Sequence, residues 1–371
     1  MKVFIVYASA GAGHHKAAQA IFNYFKVKDP RIDLSLLDIL DYSNFLFKKN
    51  YVHSYNFLIR YALPLWAFVF YLTYAKPIRP LVNLIGDMID RANTKKFASL
   101  LIRENPDLII TTHFLSCEIV SRLKIKNKIN SKLVTVITDF GVHPFWLAKA
   151  TDLYIVPSDF TKKRLVKEGI SENHIEVCGV PVDQKFLGKF NRTDLCHKLL
   201  IEPDKFTVLI VTGSFGIGPI EKIVKLLYRE VQVLVVCAGN RRLFNKLKMS
   251  RHDNVLVYGF VENLEELMAV SDIIVTKPGG LTLSELLVMD LPPIFIVTIP
   301  GQESENAKIM AQYGIGRKIS NLQLLKSTIL SYKNNPKELE RIKEKIRQMR
   351  KPFAAREIYN VVCKDSLRNS G

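Results

Sequence analysis

The sequence predicts an α/β protein built from two doubly wound parallel sheets, each in its own domain. Three observations carry that prediction. The chain has 371 residues, more than one ordinary domain of ~100–200 residues and suited to two or three. Short β-branched runs recur, each followed by a helical pattern, and that alternation implies parallel strands with crossover helices. A polar stretch, residues 181–204, lacks a strand pattern, carries Pro203 and splits the strands into two series.

In chain order, the first series places strands at residues 2–7, 32–37, 108–112, 133–137, 153–156 and 175–178. The second places them at 207–211, 231–237, 255–258, 273–276 and 294–297. Helical patterns fill most gaps, for example 160–168, 264–270, 281–289 and 306–313. The expected division is a domain over 1–182, a linker over 183–204 and a second domain over 205–352. In such sheets ligands bind at the carboxyl ends of strands, where helix N-termini offer unpaired N–H groups. Two such domains facing each other make a cleft, and the turns after strands are where chemistry is expected.

Composition narrows the class. Hydrophobic residues make up 48% and charged residues 24%, which excludes a disordered or fibrous chain. Five cysteines without a C-x-x-C pair argue against a disulfide framework or a thiolate zinc site. The opening M-K-V-F-I-V-Y-A-S-A-G-A-G reads as strand and glycine turn rather than secretory signal, so a cytosolic setting is expected. The formal net charge of +18 draws anionic partners. Residues 43–103 hold nine basic residues against Asp87 and Asp90, and are the most aromatic and apolar part of the chain. Basic and greasy together favour a lipid surface over a nucleic-acid groove.

Five turns carry candidate chemistry. Residues 7–16, Y-A-S-A-G-A-G-H-H-K, follow the first strand. Gly11 and Gly13 permit a tight turn, and His14 opens a helix whose positive end disfavours imidazolium, so a neutral, proton-accepting ring is expected. The competing reading is a glycine turn with histidines capping the helix. Residues 138–146, T-D-F-G-V-H-P-F-W, put Asp139, His143 and Trp146 beyond a strand end. They could orient a base and wall a site, or form an Asx turn over a buried tryptophan. His113 ends the preceding strand and reads as structural when taken alone.

In the second half, residues 212–218, T-G-S-F-G-I-G, can form a backbone nest for phosphate. Residues 275–285, V-T-K-P-G-G-L-T-L-S-E, are the most specific turn. Lys277, the Gly279–Gly280 turn and Thr282 suit a pyrophosphate, and Glu285 suits a ribose diol. Residues 300–306, P-G-Q-E-S-E-N, cluster amides and carboxylates that match sugar hydroxyls. No Asp-x-Asp and no P-loop signature occur. The sequence therefore predicts no metal and no cofactor, with any leaving diphosphate met by N–H groups, helix dipoles and Lys277.

Taken together, S-A-G-A-G-H-H-K-A-A, T-D-F-x-x-H-P-x-W, C-G-V-P-V-D at 178–183, K-P-G-G-L-T-x-x-E and P-G-Q-E-x-x-N-A resemble the monogalactosyldiacylglycerol synthase family. That family includes processive diacylglycerol glucosyltransferases and is distantly similar to the N-acetylglucosaminyltransferase that forms lipid II. The motifs occur in family order over residues 9 to 307. The resemblance implies a GT-B fold, UDP-sugar on the C-terminal domain, acceptor on the N-terminal one, and metal-free inversion at the anomeric carbon. By position, His14 corresponds to the glycine-loop histidine proposed as base or acceptor-site residue. Gly213, Ser214, Phe215 and Gly216 correspond to the phosphate-side loop, and Gly259, Phe260 and Val261 to the backbone strip that reads uracil. Glu285 corresponds to the ribose-binding glutamate, and Gln302, Glu303 and Asn306 to the sugar-reading cluster. Residues 352–360, P-F-A-A-R-E-I-Y-N, resemble the last helix, which returns to the N-terminal domain. Plant members have glycine where Ala12 stands and arginine where His15 stands, so their phosphatidyl-lipid activation is not carried over.

The reading is a glycosyltransferase docked peripherally on the cytoplasmic face of an anionic membrane. It would move galactose or glucose from a UDP-sugar to diacylglycerol or a related lipid. His14 is the expected base, helped by Asp139, with Gly11, Gly13, His113, His143, Trp146 and Trp66 on the acceptor side. Rival readings are transfer to another lipid-linked acceptor and a UDP-sugar epimerase; a nucleic-acid binder lacks a recognisable motif. The uncharged run 61–75 holds Pro64 and Trp66. As a helix it reaches ~22 Å, short of a ~30 Å hydrocarbon core. Docking through Trp66, Phe68 and Phe70, flanked by Arg60, Lys76 and Arg79, is expected instead.

Overall fold

Both expected sheets form, and every strand pair in them is parallel. The computed structural model describes residues 1–368 except Ala10, 75–92, Phe215, Arg251 and 297–298. Phe215, the cations Lys76 and Arg79 beside the uncharged run, and Val297 thus lie outside the described residues.

The first sheet holds β1 (Lys2–Tyr7), β2 (Asp33–Asp38), β3 (Leu108–Thr111), β4 (Lys132–Val136), β5 (Leu153–Ile155) and β6 (Ile175–Glu176) in the order β2-β1-β3-β4-β5-β6. The second holds β7 (Thr207–Val211), β8 (Gln232–Val236), β9 (Val255–Tyr258), β10 (Ile273–Thr276), β11 (Pro293–Phe295) and β12 (Arg317–Lys318) in the order β12-β11-β10-β7-β8-β9. Central strands such as β3, β7 and β8 are buried along their whole length, because helices cover both faces. Edge strands β2, β9 and β12 are only partly covered, and β12, two exposed basic residues, carried no apolar signal.

Alternation along β1 builds two cores at once. Val3 and Ile5 join Ile21, Phe25, Val134, Ile358 and Val362 on one face. Phe4 and Val6 join Ile39, Leu40, Phe97, Leu101 and Leu133 on the other. In the second sheet Val208, Ile210, Val233, Val235 and Val275 meet Ile220, Ile223, Val224, Leu325 and Ile329. Each such side chain contributes ~1.5–3 kcal/mol when fully buried.

The chain divides into two units. The first comprises Met1–Asp183, Ile299–Gln302 and Lys351–Gly371; the second comprises Gln184–Thr298 and Glu303–Arg350. Residues 184–204, expected as linker, instead belong to the second unit and are folded. They hold a 3-10 turn, Gln184–Leu187, and the helix Arg192–Leu199, which Asn191 caps. Arg192 pairs with Asp272 at 3.2 Å, Lys198 with Glu266 at 2.6 Å, and Cys196 is buried. So short a helix, anchored by one cysteine and surface ion pairs, leaves no apolar stripe to read.

The helix Ala354–Arg368 completes the first unit. Tyr359 meets Phe25 edge-on at 5.0 Å, and Ile358 and Val362 enter the β1 core. Where this segment starts, Gly179 has φ +94°, and a Cβ there would lie 2.3 Å from the Lys351 Cβ. Only glycine fits that crossing.

Candidate active site

Each sheet reverses its strand order once, and ligands of open α/β sheets sit at such a switch point. In the first unit the reversal lies between β1 and β3, and in the second between β7 and β10. The sequence motifs fall on both.

At the first switch point the chain leaves β1, passes Gly11 and enters the helix Ala12–Lys28. Gly11 is extended, with φ −168°, and a Cβ on it would meet open space. Its value is therefore the room it leaves rather than a special conformation. His14 Nδ1 lies 2.7 Å from the Thr112 carbonyl, just beyond β3. A carbonyl only accepts, so Nδ1 carries the hydrogen and Nε2 keeps its lone pair. The Thr138 hydroxyl is 3.0 Å from the same nitrogen, and Thr112 Oγ1 donates to the His14 carbonyl at 2.9 Å. Burial pushes the imidazole pKa down to about 4, against a smaller upward pull from the Thr112 carbonyl. The ring is a neutral proton acceptor that still keeps partial exposure.

Around it the structure sorts the expected acceptor residues. His113 forms an edge contact with His14 at 4.7 Å and stacks on Phe114 at 4.2 Å. Its Nδ1 accepts from the Leu115 N–H and caps the helix Phe114–Ile125, while burial, aided by His14, holds its pKa well below the usual range. His113 is a wall and a cap. His143 has both nitrogens committed: Nδ1 accepts from the Phe145 N–H at 3.2 Å, and Nε2 donates to Thr73 Oγ1 at 2.8 Å. It is buried, so neither ring nitrogen is open to an acceptor in this arrangement. Trp146 is fully buried, 6.2 Å from His14, with its indole N–H unpartnered among the described residues. Asp139 follows Thr138 and is buried. The groups on His14 Nδ1 are Thr112 and Thr138, which the sequence reading did not single out although both adjoin residues it did.

Trp66 is half-buried. On the helix Leu63–Leu72, its indole N–H donates to the Pro300 carbonyl at 3.0 Å, and Phe70 is buried. Of the three aromatics expected to face lipid, Phe68 alone is strongly exposed, at 64%.

At the second switch point Lys277 follows β10, and its Nζ lies 3.0 Å from Glu303 Oε1, both side chains mostly covered. Gly213, after β7, has φ +76°, and a Cβ there would sit 3.3 Å from Lys277 Cε. Gly216 has φ +53°, with a Cβ position 2.7 Å from the Cys237 carbonyl. The Gly239 N–H donates to the Ser214 carbonyl, Asn240 Nδ2 donates to the Gly216 carbonyl, and the Ala238 N–H donates to the Gly259 carbonyl. The glycine loop is thus locked onto the turn after β8. The helix Gly280–Val288 starts at Gly279 with no side-chain cap and no acid in its first turn, where Thr282 stands. An uncapped positive end beside an ammonium suits a diphosphate.

Not every expected donor residue is equally placed. Phe260 is exposed and Val261 half-buried, open to a base. Glu285 is buried, at 4% exposure. Gln302 and Glu303 are half-buried. Asn306 is fully buried and donates through Nδ2 to the Pro278 carbonyl at 3.0 Å. It ties the helix Gln302–Gln312 to the lysine turn, with one of its two amide hydrogens on backbone.

Comparison with known proteins shows the family. A processive diacylglycerol beta-glucosyltransferase of Staphylococcus haemolyticus is 31% identical, over 86% of this chain and 81% of that protein. The chain belongs to the monogalactosyldiacylglycerol synthase and processive diacylglycerol glucosyltransferase family. Residues 14–182 match the monogalactosyldiacylglycerol (MGDG) synthase family, and residues 207–358 the glycosyltransferase family 28 C-terminal domain. A second family member, from Staphylococcus saprophyticus, is 29% identical over 99% of this chain and 92% of that one. Among solved structures, Acinetobacter baumannii MurG shares 14% identity and TM-score 0.59, covering 98% of this chain and 99% of that chain. UDP-GlcNAc 2-epimerase from Neisseria meningitidis, bound to UDP-GlcNAc, shares 15% and TM-score 0.60, covering 98% and 100%. These likenesses establish the GT-B fold for the family member in hand.

Proposed function

We propose that this glycosyltransferase moves a hexose from a UDP-sugar to the free hydroxyl of diacylglycerol in one displacement that inverts the anomeric carbon. The observation that carries the mechanism is the His14 tautomer. With Nδ1–H spent on the Thr112 carbonyl, Nε2 accepts the proton of the acceptor hydroxyl. The acceptor oxygen bonds to the anomeric carbon as the bond to the β-phosphate oxygen breaks. Charge on the departing UDP is met by Lys277 and the uncapped N–H groups at Gly280. We read the reaction as metal-free; the donor set of lysine, hydroxyl and backbone N–H suits an anion directly.

The acceptor is read as arriving from an anionic membrane on its cytoplasmic face. Among the described residues no helix is long and apolar enough to cross a membrane. Leu65, Phe68 and Tyr71 on one helix, with Phe57 and Tyr61 on the helix before it, are exposed apolar groups suited to a headgroup boundary. The test is UDP release from UDP-glucose and from UDP-galactose, with and without vesicles containing diacylglycerol. Lipid-dependent release with a glycolipid product is the expected result and names the sugar. Release or epimer formation independent of lipid overturns the reading.

A further inference from the structure

The helix Leu63–Leu72 has two aromatic faces with different duties. Leu65, Phe68 and Tyr71 point to solvent, while the half-buried Trp66, the buried Phe70 and the buried Thr73 just past the helix end, spaced i, i+4, i+7, turn inward. The inward stripe meets the segment Ile299–Gln302, which belongs to the same unit. Trp66 Nε1–H donates to the Pro300 carbonyl at 3.0 Å. The Phe70 ring lies against Gly301 so closely that a Cβ there would be 2.7 Å from Cδ1. Gly301 also has φ +99°, so both space and conformation restrict that position to glycine. The helix end is fixed in turn: Thr73 Oγ1 donates to the Phe70 carbonyl at 2.6 Å and receives the His143 Nε2–H, and Tyr74 donates to the Val142 carbonyl. Phe70 packs against His143 with tilted rings at 4.6 Å, and His143 leads through Phe145, Phe114 and His113 to His14, each step between 4.2 and 5.5 Å.

We propose that Trp66 and Phe70 are positioning residues for the sugar, holding Pro300 and Gly301 so that Gln302 presents its amide to the hexose, while the opposite face of the same helix meets lipid. This rests on the hexose-transfer reading above. It assigns the helix two separable jobs. The inner face sets how the sugar, not the nucleotide, is held, because its contacts end on the segment that precedes Gln302.

The experiment compares Trp66→Phe, which removes the N–H and keeps a ring, Phe70→Leu and Phe68→Ser. For each, KM for the UDP-sugar, affinity for UDP alone and sedimentation with diacylglycerol vesicles are measured. Trp66→Phe is expected to raise KM for the UDP-sugar about 5–10-fold, as the loss of one partly buried hydrogen bond implies, with UDP affinity and vesicle binding unchanged. Phe68→Ser is expected to weaken vesicle binding and leave KM for the UDP-sugar alone. If Trp66→Phe melts without cooperativity, Phe70→Leu, which keeps an apolar side chain under Gly301, carries the same expectation. Reduced vesicle binding by the inner-face variants with KM unmoved, or an equal rise in KM for Phe68→Ser, overturns the inference. Lack of lipid-dependent transfer in the unaltered enzyme would instead bring down the functional reading, so the two failures are distinguishable.

Discussion

The two switch points use the same backbone plan for opposite electrostatic ends. Both place a glycine-containing turn after one central strand against the residue that ends its neighbour. In the first unit the result is a neutral imidazole caged by His113, Trp146 and two threonines, with its pKa pushed down to about 4. In the second it is a lysine–glutamate pair beside an uncapped helix end. The fold therefore supplies position, and the side chains at the strand ends decide whether that position handles a proton or an anion.

The sharpest way to break the comparison is His14→Ala. Transfer is expected to fall ~10²–10⁴-fold, the range for loss of a general base, with UDP affinity kept. Calorimetry and initial rates on one preparation check both, and near-normal turnover would show that the first switch point handles no proton. Lys277→Met comes next, with kcat/KM expected to drop ~10²–10³-fold and UDP affinity to fall with it. That variant also leaves the covered Glu303 carboxylate without its cation, so a melting curve must accompany the kinetics. An effect on kcat/KM with UDP affinity untouched would sever the lysine from the diphosphate.

Thr138→Val isolates one of the two partners on His14 Nδ1. Only ~3–10-fold in kcat is expected, because the Thr112 carbonyl still fixes the tautomer and one hydrogen bond is worth ~1 kcal/mol. The smallest effect concerns pH. An ordinary histidine base gives a rising limb near pH 6.5; here kcat/KM is expected to stay level down to about pH 5. Stability carries the other sign of the same shift. The unfolded chain takes up the His14 proton near pH 6.5 and the folded one only near 4. Stability should therefore fall as pH drops through that window, by on the order of 3 kcal/mol from this residue, and level off below it. Urea midpoints at pH 7 and pH 4.5, for the natural chain and His14→Ala, measure the difference.

The sheets were legible because a strand covered on both faces is a nearly continuous apolar run, as Val208–Val211 of β7 and Val233–Val236 of β8 are. The helix Arg192–Leu199 was not, since it is held by Asn191 and surface ion pairs rather than by an apolar stripe. Within the site, His14 and Lys277 were readable from the turns that carry them. The tasks of His143, Trp66 and Asn306 were not. Each is defined by a partner far along the chain, Thr73, Pro300 and Pro278 respectively, and a polar atom spent on such a partner looks like a free one in sequence.

The return of the helix Ala354–Arg368 to the first unit has a consequence for synthesis on the ribosome. Ile358 and Val362 cover Val3, Ile5, Ile21 and Phe25, residues translated at the opposite end of the chain. The first unit therefore emerges with part of that core uncovered and waits until the second unit has been made. At ~5–20 residues per second that interval lasts roughly 10–35 s. During it an apolar surface is open to chaperones, to other nascent chains and to the membrane. A chain cut after Arg350 would keep that surface exposed for its whole life.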